Sequence, residues 1–401
     1  MSLHSQYPFL IRAYNRLFSN NKIDYKKLIR TVQKSTNCVD FGANDYEDRL
    51  KLLCNSINEE AQLHPFGAFA NRERLKGVLK NRLRAIQLFK EQPKILETQL
   101  QAPIIIAGLQ RTGTTFLQRL LASDSDNRAL LSWEALNPIP LKKKKEAQKR
   151  IKLALTGQKA LHYMSPIFFS IHPVEFDSPE EEILLNDMTL LSAIPEATLN
   201  VPSFSRWVAA QDHGIAYDWM IKMLKVLEWK KASKTWILKT PQHLEYMDVV
   251  TKKFPEAVII HTHRHPKECI PSFCSMVYHS RKIFSKEVDP IAVANHWVNK
   301  NITMLKHTMN VRKNNPNVKV IDLYYTDLIK DPIACIQHIY TQIGRPWNAR
   351  IEAELKQATL RNKKNKYGKH EYNMADFGLT NASIEADFSF YLEAYPQLKS
   401  L

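Results

Sequence analysis

The residues whose types and spacing most directly specify chemistry are Gly108-Leu109-Gln110-Arg111-Thr112-Gly113-Thr114-Thr115. The apolar run Ile104, Ile105, Ile106, Ala107 enters this segment, and Phe116, Leu117, Leu120 and Leu121 leave it at helical spacing. A buried strand running through a glycine-bounded loop into a helix start is an anion-binding device. Loop and first-turn N–H groups converge on one point, where the helix dipole also favours negative charge. Gly108 and Gly113 let the backbone turn tightly and approach a phosphate closely, and Thr114 and Thr115 add hydroxyl donors. The Gly-x4-Gly spacing is that of nucleoside triphosphate loops, which continue with lysine and then serine or threonine. Here Thr114 holds the lysine position and a cation, Arg111, stands inside the loop instead. Phosphate binding is expected and triphosphate hydrolysis is not.

Two more cations occupy comparable places. The apolar segment 257–260 leads through Thr262, His263 and Arg264 to Pro266, a residue suited to the first position of a helix that would carry Ser272. Arg264 and Ser272 can clamp a second phosphate by charge-assisted hydrogen bonds. Lys239 ends the apolar segment 235–238, with Thr240 and Pro241 as N-cap and first helical residue. Arg111, Lys239 and Arg264 thus leave three strands at their C-terminal ends, the edge where open α/β sheets bind ligands. A ligand carrying phosphates in more than one place fits this arrangement.

With these residues in view the chain resembles the sulfotransferase superfamily, in particular the bacterial-type group distantly related to tyrosylprotein sulfotransferases. The similar segments are the loop at 108–115, Ser132-Trp133-Glu134-Ala135-Leu136-Asn137-Pro138, Leu238-Lys239-Thr240-Pro241-Gln242-His243-Leu244, and Thr262-His263-Arg264-His265-Pro266 with Ser272. His370-Glu371-Tyr372 through Thr380 fits as well, so the similarity spreads over about 270 residues. The resemblance implies 3′-phosphoadenosine 5′-phosphosulfate as donor. Arg111, Thr112, Gly113, Thr114 and Thr115 would hold its 5′-phosphosulfate end, and Arg264 and Ser272 its 3′-phosphate. Lys239 would meet the charge on the leaving phosphate. Glu134, 23 residues after Arg111, lies near where relatives keep a carboxylate base, with a slight departure in that interval. His243 competes for the role, because other members use histidine.

Sulfuryl transfer is an in-line displacement in which positioning and charge stabilisation supply most of the rate. A hydroxyl attacks poorly until a base within reach removes its proton. Because basic side chains can meet the developing charge, turnover is expected to need no metal. His261, His263 and His265 alternate as residues on one strand face do, but Pro266 ends the strand and no adjacent acid or thiol completes a metal site. Asp322 imitates the acidic residue of triphosphatases and, without the loop lysine, reads as structural.

The elements that must position these groups follow from texture. Apolar runs near 104–107, 236–238, 257–260 and 318–323, each followed by a helical pattern, specify a parallel sheet covered by helices on both faces, an α/β fold of P-loop-like type. Residues 1–95 read as a helical N-terminal extension packing on the core, and residues 96–401 as the α/β domain. A helical, aromatic-rich insertion, about 130–232, with a helix expected near 179–191, is placed on the acceptor side. The net charge of +17 favours an anionic partner. It also motivates one alternative, a non-catalytic protein binding nucleic acid or a membrane surface; a nucleotide-kinase-like enzyme is a second alternative, weakened by Thr114 in place of the loop lysine. Under the leading reading the partner is a small-molecule or lipid hydroxyl acceptor, nucleic acid is not expected, and peripheral membrane contact through basic helices stays open. The lysine run at 142–145 reads as a solvated surface. Five scattered cysteines favour reduced thiols in a cytoplasm, and no stretch reaches the ~20 apolar residues of a spanning helix.

Overall fold

A computed structural model describes residues 7–140, 145–229, 231–362 and 370–399. Five parallel strands form one sheet: β1 (Ile104–Gly108), β2 (Asn127–Ala129), β3 (Thr235–Lys239), β4 (Val258–His263) and β5 (Val320–Tyr324), in the spatial order β2-β3-β1-β4-β5. The four strands expected from apolar runs are present. β2 escaped notice because it is three residues long and reads Asn-Arg-Ala, too short and polar for a periodic signal. All five residues of β1 and of β3 are buried, as strands covered on both faces require. One face packs around Ile105, Ala107, Trp236, Leu238 and Ile259, and the other around Ile104, Ile106, Ile237 and Ile260.

Four helices precede the sheet: α1 (Phe9–Leu17), α2 (Tyr25–Thr36), α3 (Tyr46–Glu60) and α4 (Pro65–Glu91). The apolar sides of α2, α3 and α4 close on a separate cluster with Leu190, Leu199, Val201 and Phe204, contributed by the segment between β2 and β3. After β1 comes α5 (Thr114–Leu121), and after β2 come α6 (Ser132–Leu136), α7 (Glu146–Met164), α8 (Pro166–Ile171) and α9 (Ile183–Asn186). The helix expected near 179–191 is interrupted. Pro179 instead bridges Leu131, tied by Ser132 N–H to Ser178 O (3.0 Å) and Glu180 N–H to Leu130 O (2.8 Å), and the helix begins only at Ile183. Phe204 and Trp219 of the same insertion are core residues. Of the lysine run, residues 142–144 lie outside the described residues.

Buried histidines hold the joints of this frame in their neutral form. His64 Nδ1 accepts the Gly67 N–H at the start of α4 (2.9 Å), while Nε2 donates to Ile283 O (3.0 Å). His213 stacks on Tyr246, with ring centroids 3.6 Å apart, and donates to Val208 O (2.9 Å). Burial pushes both imidazoles down to about 4. A histidine held below its unfolded value of about 6.5 contributes stability that is complete above that pH and lost as pH falls towards 4. Urea midpoints are therefore expected to fall from pH 7 to pH 5, and a flat profile across that window would contradict this account.

Candidate active site

The C-terminal edge of the sheet gathers the sequence-selected cations. Parallel register sets Ile106 of β1 opposite Lys239 of β3, and Gly108 opposite Thr262 of β4, so the exits of the three strands lie side by side. Arg111 and Gly113 adopt left-handed conformations, with φ of 70° and 87°. This curls the loop into a concave row of N–H groups of the kind that binds anions. Among the described residues, the N–H groups of Gly113, Thr114 and Thr115 have no protein acceptor. The buried Gln110 Oε1 is likewise without a partner. Gly108 is required by close approach, since a Cβ there would sit 1.9 Å from Thr262 Oγ1.

The loop's side chains divide their tasks differently from the sequence expectation. Thr112 Oγ1 is used internally, donating to Leu109 O (2.6 Å) and lying 2.7 Å from Thr262 Oγ1, which leaves only its N–H for a ligand. Arg111 turns away from the Lys239 side. Its Nε donates to Ser272 Oγ (3.2 Å) and its NH1 to Ile171 O (3.1 Å). Arg264 donates to the Arg111 carbonyl (2.8 Å), pairs with Glu268 (2.7 Å) and lies 4.1 Å over the Tyr325 ring. Arg111, Arg264 and Ser272 are thus one cluster rather than parts of two sites. Burial and then the adjacent Arg264 hold the Arg111 guanidinium below its usual range, a cost that an anion between them would relieve. Ser272 belongs to the helix Pro266–Lys282, which begins with Pro266 in its first turn as expected, and His265 caps it.

Lys239 lies on the other side of the loop. Its side chain is 2 % exposed, and its ammonium donates to Glu181 Oε1 (2.6 Å) and to Thr115 Oγ1 (3.5 Å). Glu182 accepts the Lys239 backbone N–H (2.9 Å) on one oxygen and meets His243 Nε2 (2.5 Å) with the other. His243 Nδ1 lies 2.8 Å from the Tyr217 hydroxyl, and both His243 and Glu182 are fully buried. His243 thus holds the same Glu182 that accepts the Lys239 backbone N–H. Glu180, Thr115, Arg119, His172 and Lys239 line a narrow cleft at this point. Burial raises the Glu180 carboxyl and pushes His172 down to about 4. A wider pocket lies at the opposite edge of the sheet, among residues 98–103 and 253–257, away from every one of these groups.

Glu134 takes a different place from the one expected of a base. Its Oε1 accepts from Arg128 (2.9 Å), and its Oε2 accepts the Leu131 N–H (3.3 Å), closing the first turn of α6. Arg128 stacks 4.5 Å from the Trp236 ring, three residues before Lys239 along β3, so the Glu134 carboxylate faces the N-terminal half of the strand. The carboxylates beside Lys239 come instead from Glu180-Glu181-Glu182, which sequence reasoning passed over as part of a helix. Three consecutive acids in a chain of net charge +17 were the available signal. The histidines sort as the sequence suggested only in part. His265 leaves the strand face, whereas Asp322 does join His261 and His263. Arg312 fills that cluster, donating to both Asp322 oxygens (2.7 and 2.8 Å) while His263 binds Asp322 at 2.8 Å, so an arginine stands where a metal would sit.

A family model described as "Sulfotransferase family" matches residues 103–349. Omega-hydroxy-beta-dihydromenaquinone-9 sulfotransferases of Mycobacterium bovis and Mycobacterium tuberculosis are 23 % identical over 266 residues, which is 63 % of this chain; the chain spans 65 % of the length of these curated relatives. The crystal structure of sulfotransferase STF1 from M. tuberculosis H37Rv superposes with a TM-score of 0.80 at 26 % identity, covering 92 % of this chain and all of that one. That of sulfotransferase STF9 from Mycobacterium avium gives 0.82 at 21 % identity, covering 94 % and 97 %.

Because Glu134 is buried and paired, Glu134→Gln is expected to lower unfolding free energy by about 2–4 kcal/mol, as loss of one member of a buried ion pair does. Denaturant titration measures this, and an unchanged midpoint would refute the structural role.

Proposed function

The chain belongs to the sulfotransferase family, and we propose that it transfers a sulfuryl group from 3′-phosphoadenosine 5′-phosphosulfate to a hydroxyl of a small-molecule or lipid acceptor. The observation that carries this reading is the pair of cationic sites flanking one phosphate-type loop, Arg111–Arg264–Ser272 on one side and Lys239–Thr115 on the other. A ligand with separated 3′ and 5′ anionic groups matches both. A nucleoside triphosphate, which gathers its charge at one end and asks for a loop lysine, does not. The donor supplies an activated sulfuryl group on a 5′-phosphate that departs with the electron pair of the broken bond.

The protein's own groups divide the remaining work. The loop N–H groups and the Lys239 ammonium meet the charge that develops on the departing phosphate. Arg264, Ser272 and Arg111 hold the 3′-phosphate. The acceptor proton goes to Glu181, the carboxylate already in contact with Lys239. When Lys239 turns to the donor, Glu181 is released beside the sulfuryl position, whereas Glu134 and His243 stay in their buried pairs. A lipid-like acceptor is favoured by the relatives, whose name specifies a hydroxylated menaquinone. We place the protein in the cytoplasm, in keeping with its five free thiols.

Calorimetric titration with 3′-phosphoadenosine 5′-phosphate should show binding that Arg264→Ala weakens at least tenfold and that ATP does not reproduce; equal affinity for ATP would refute the donor assignment. In a sulfuryl-transfer assay with a competent hydroxyl acceptor, Lys239→Ala and Glu181→Gln should each lower kcat by about 10²–10³ with bisphosphate binding by Glu181→Gln retained. Full activity of Glu181→Gln would return the base role to another group. Turnover should survive a chelator, and its loss would show that a metal participates.

A further inference from the structure

Outside the site, the exposed apolar surface is concentrated in one place. Of the sixteen large apolar side chains exposed among the described residues, eight belong to α1 with its neighbour Phe18, to Phe69 of α4, and to α7 and α8. On α1, Phe9 (69 % exposed), Leu10 (63 %) and Leu17 (78 %) project into solvent. At about 100° per residue these three and Ala13 fall within an arc of about 100°, opposite the side that faces the body. That other side is firmly seated: Ile11 is buried and Asn15 Oδ1 accepts the Phe66 N–H (2.8 Å). Just ahead of the helix, Tyr7 donates to Lys282 O (3.1 Å) and to Ser285 O (2.9 Å). Arg12 and Arg16 are exposed along the edge of the apolar arc, and α1 contains no acidic residue.

Helix α7 continues this surface. Tyr163 accepts the Leu10 N–H (3.3 Å), which joins the two helices. Leu153, Thr156, Ala160 and Tyr163 recur at spacings of three and four, forming one exposed stripe, with Lys149, Lys152 and Lys159 beside it. The one acid in α7, Glu146, is held by Arg150 through both oxygens. From α7 the chain passes into α8, whose last residue, Ile171, accepts the Arg111 side chain at the active site.

We propose that α1 and α7 form a docking face for an anionic lipid bilayer surface. A seated helix presenting exposed aromatic and aliphatic side chains, fringed by cations and lacking free acids, is the arrangement that binds at the headgroup boundary: burial of the apolar side chains supplies the affinity and lysine and arginine supply the preference for negative lipid. A protein partner recognised by hydrophobic contact alone gives no reason for unpaired cations at the rim. Nucleic acid gives none for four exposed apolar side chains on one short segment. The proposal stands on this surface and does not depend on the sulfuryl-transfer reading.

The test is co-flotation of the full chain with vesicles of phosphatidylcholine containing about 30 % phosphatidylglycerol, against phosphatidylcholine alone. Partitioning into the anionic vesicles should be at least tenfold stronger. It should fall at least tenfold in Leu10→Asp/Leu17→Asp and, separately, in Arg12→Glu/Arg16→Glu, with an unchanged circular-dichroism spectrum and urea midpoint as evidence of folding. Absence of partitioning, partitioning untouched by either pair of changes, or a Leu17-dependent dimer in light scattering without vesicle binding would each overturn the proposal. The last outcome would identify a second copy of the chain as the occupant. A failure of the sulfuryl-transfer assay with vesicle binding intact would instead count against the proposed activity alone.

Discussion

The arrangement at the sheet edge depends on one buried cation. The Lys239 ammonium is withdrawn from water at the end of β3, and an unpaired charge in that position would be strongly destabilising. Glu181 neutralises it at 2.6 Å, and Glu182 fixes the same residue from the backbone side while holding His243. Both contacts rest on the bridge between Pro179 and Leu131, which holds the segment before Glu181 and Glu182 beside residues 130–132. A consecutive pair of glutamates therefore performs two jobs with one bend of the chain: one carboxylate is held ready near a cleft, and the other is locked into the frame.

The second cationic group is built on different terms. Arg111 and Arg264 are like charges placed close together, and the fold tolerates them by giving each guanidinium a carbonyl, a hydroxyl, a carboxylate or an aromatic face. Arg111 takes a left-handed conformation, and its side chain reaches Ser272. The loop thereby stands between two cationic groups, Arg111 with Arg264 and Lys239 with Thr115.

Much of this was legible in the sequence because it is local. A strand followed by a glycine-bounded turn and an amphipathic helix is written in consecutive residues, and the parallel α/β fold follows from repeated apolar runs. Lys239 and Arg264 could be placed at strand exits because strand ends are visible in composition. What was not legible depends on which side chains face one another across long separations. Glu134 sits in a recognisable Trp-Glu motif, yet Arg128, six residues earlier, claims it. Asp322 is 59 residues from His263, so its union with the histidines and the intrusion of Arg312 are products of sheet register that periodicity does not encode. The role of Glu181 was hidden for the same reason, 58 residues from Lys239.

That dispersal has a consequence for how the molecule reaches its working form. The proposed anion sites draw on residues 111, 239, 264 and 272, which lie at or beyond the C-terminal ends of strands whose parallel pairing forces long crossovers between them. Contacts of that separation form late in folding, after loop closure over many residues has been achieved. No fragment shorter than the whole sheet assembles the cationic edge, so the proposed bisphosphate ligand would recognise the finished chain and ignore its precursors. By mass action such a ligand stabilises by RT ln(1 + [L]/Kd), a gain of about 2.7 kcal/mol at a hundredfold excess over Kd. On the proposed donor reading, the nucleotide pool of its surroundings would act on this protein as a thermodynamic chaperone as well as a reagent.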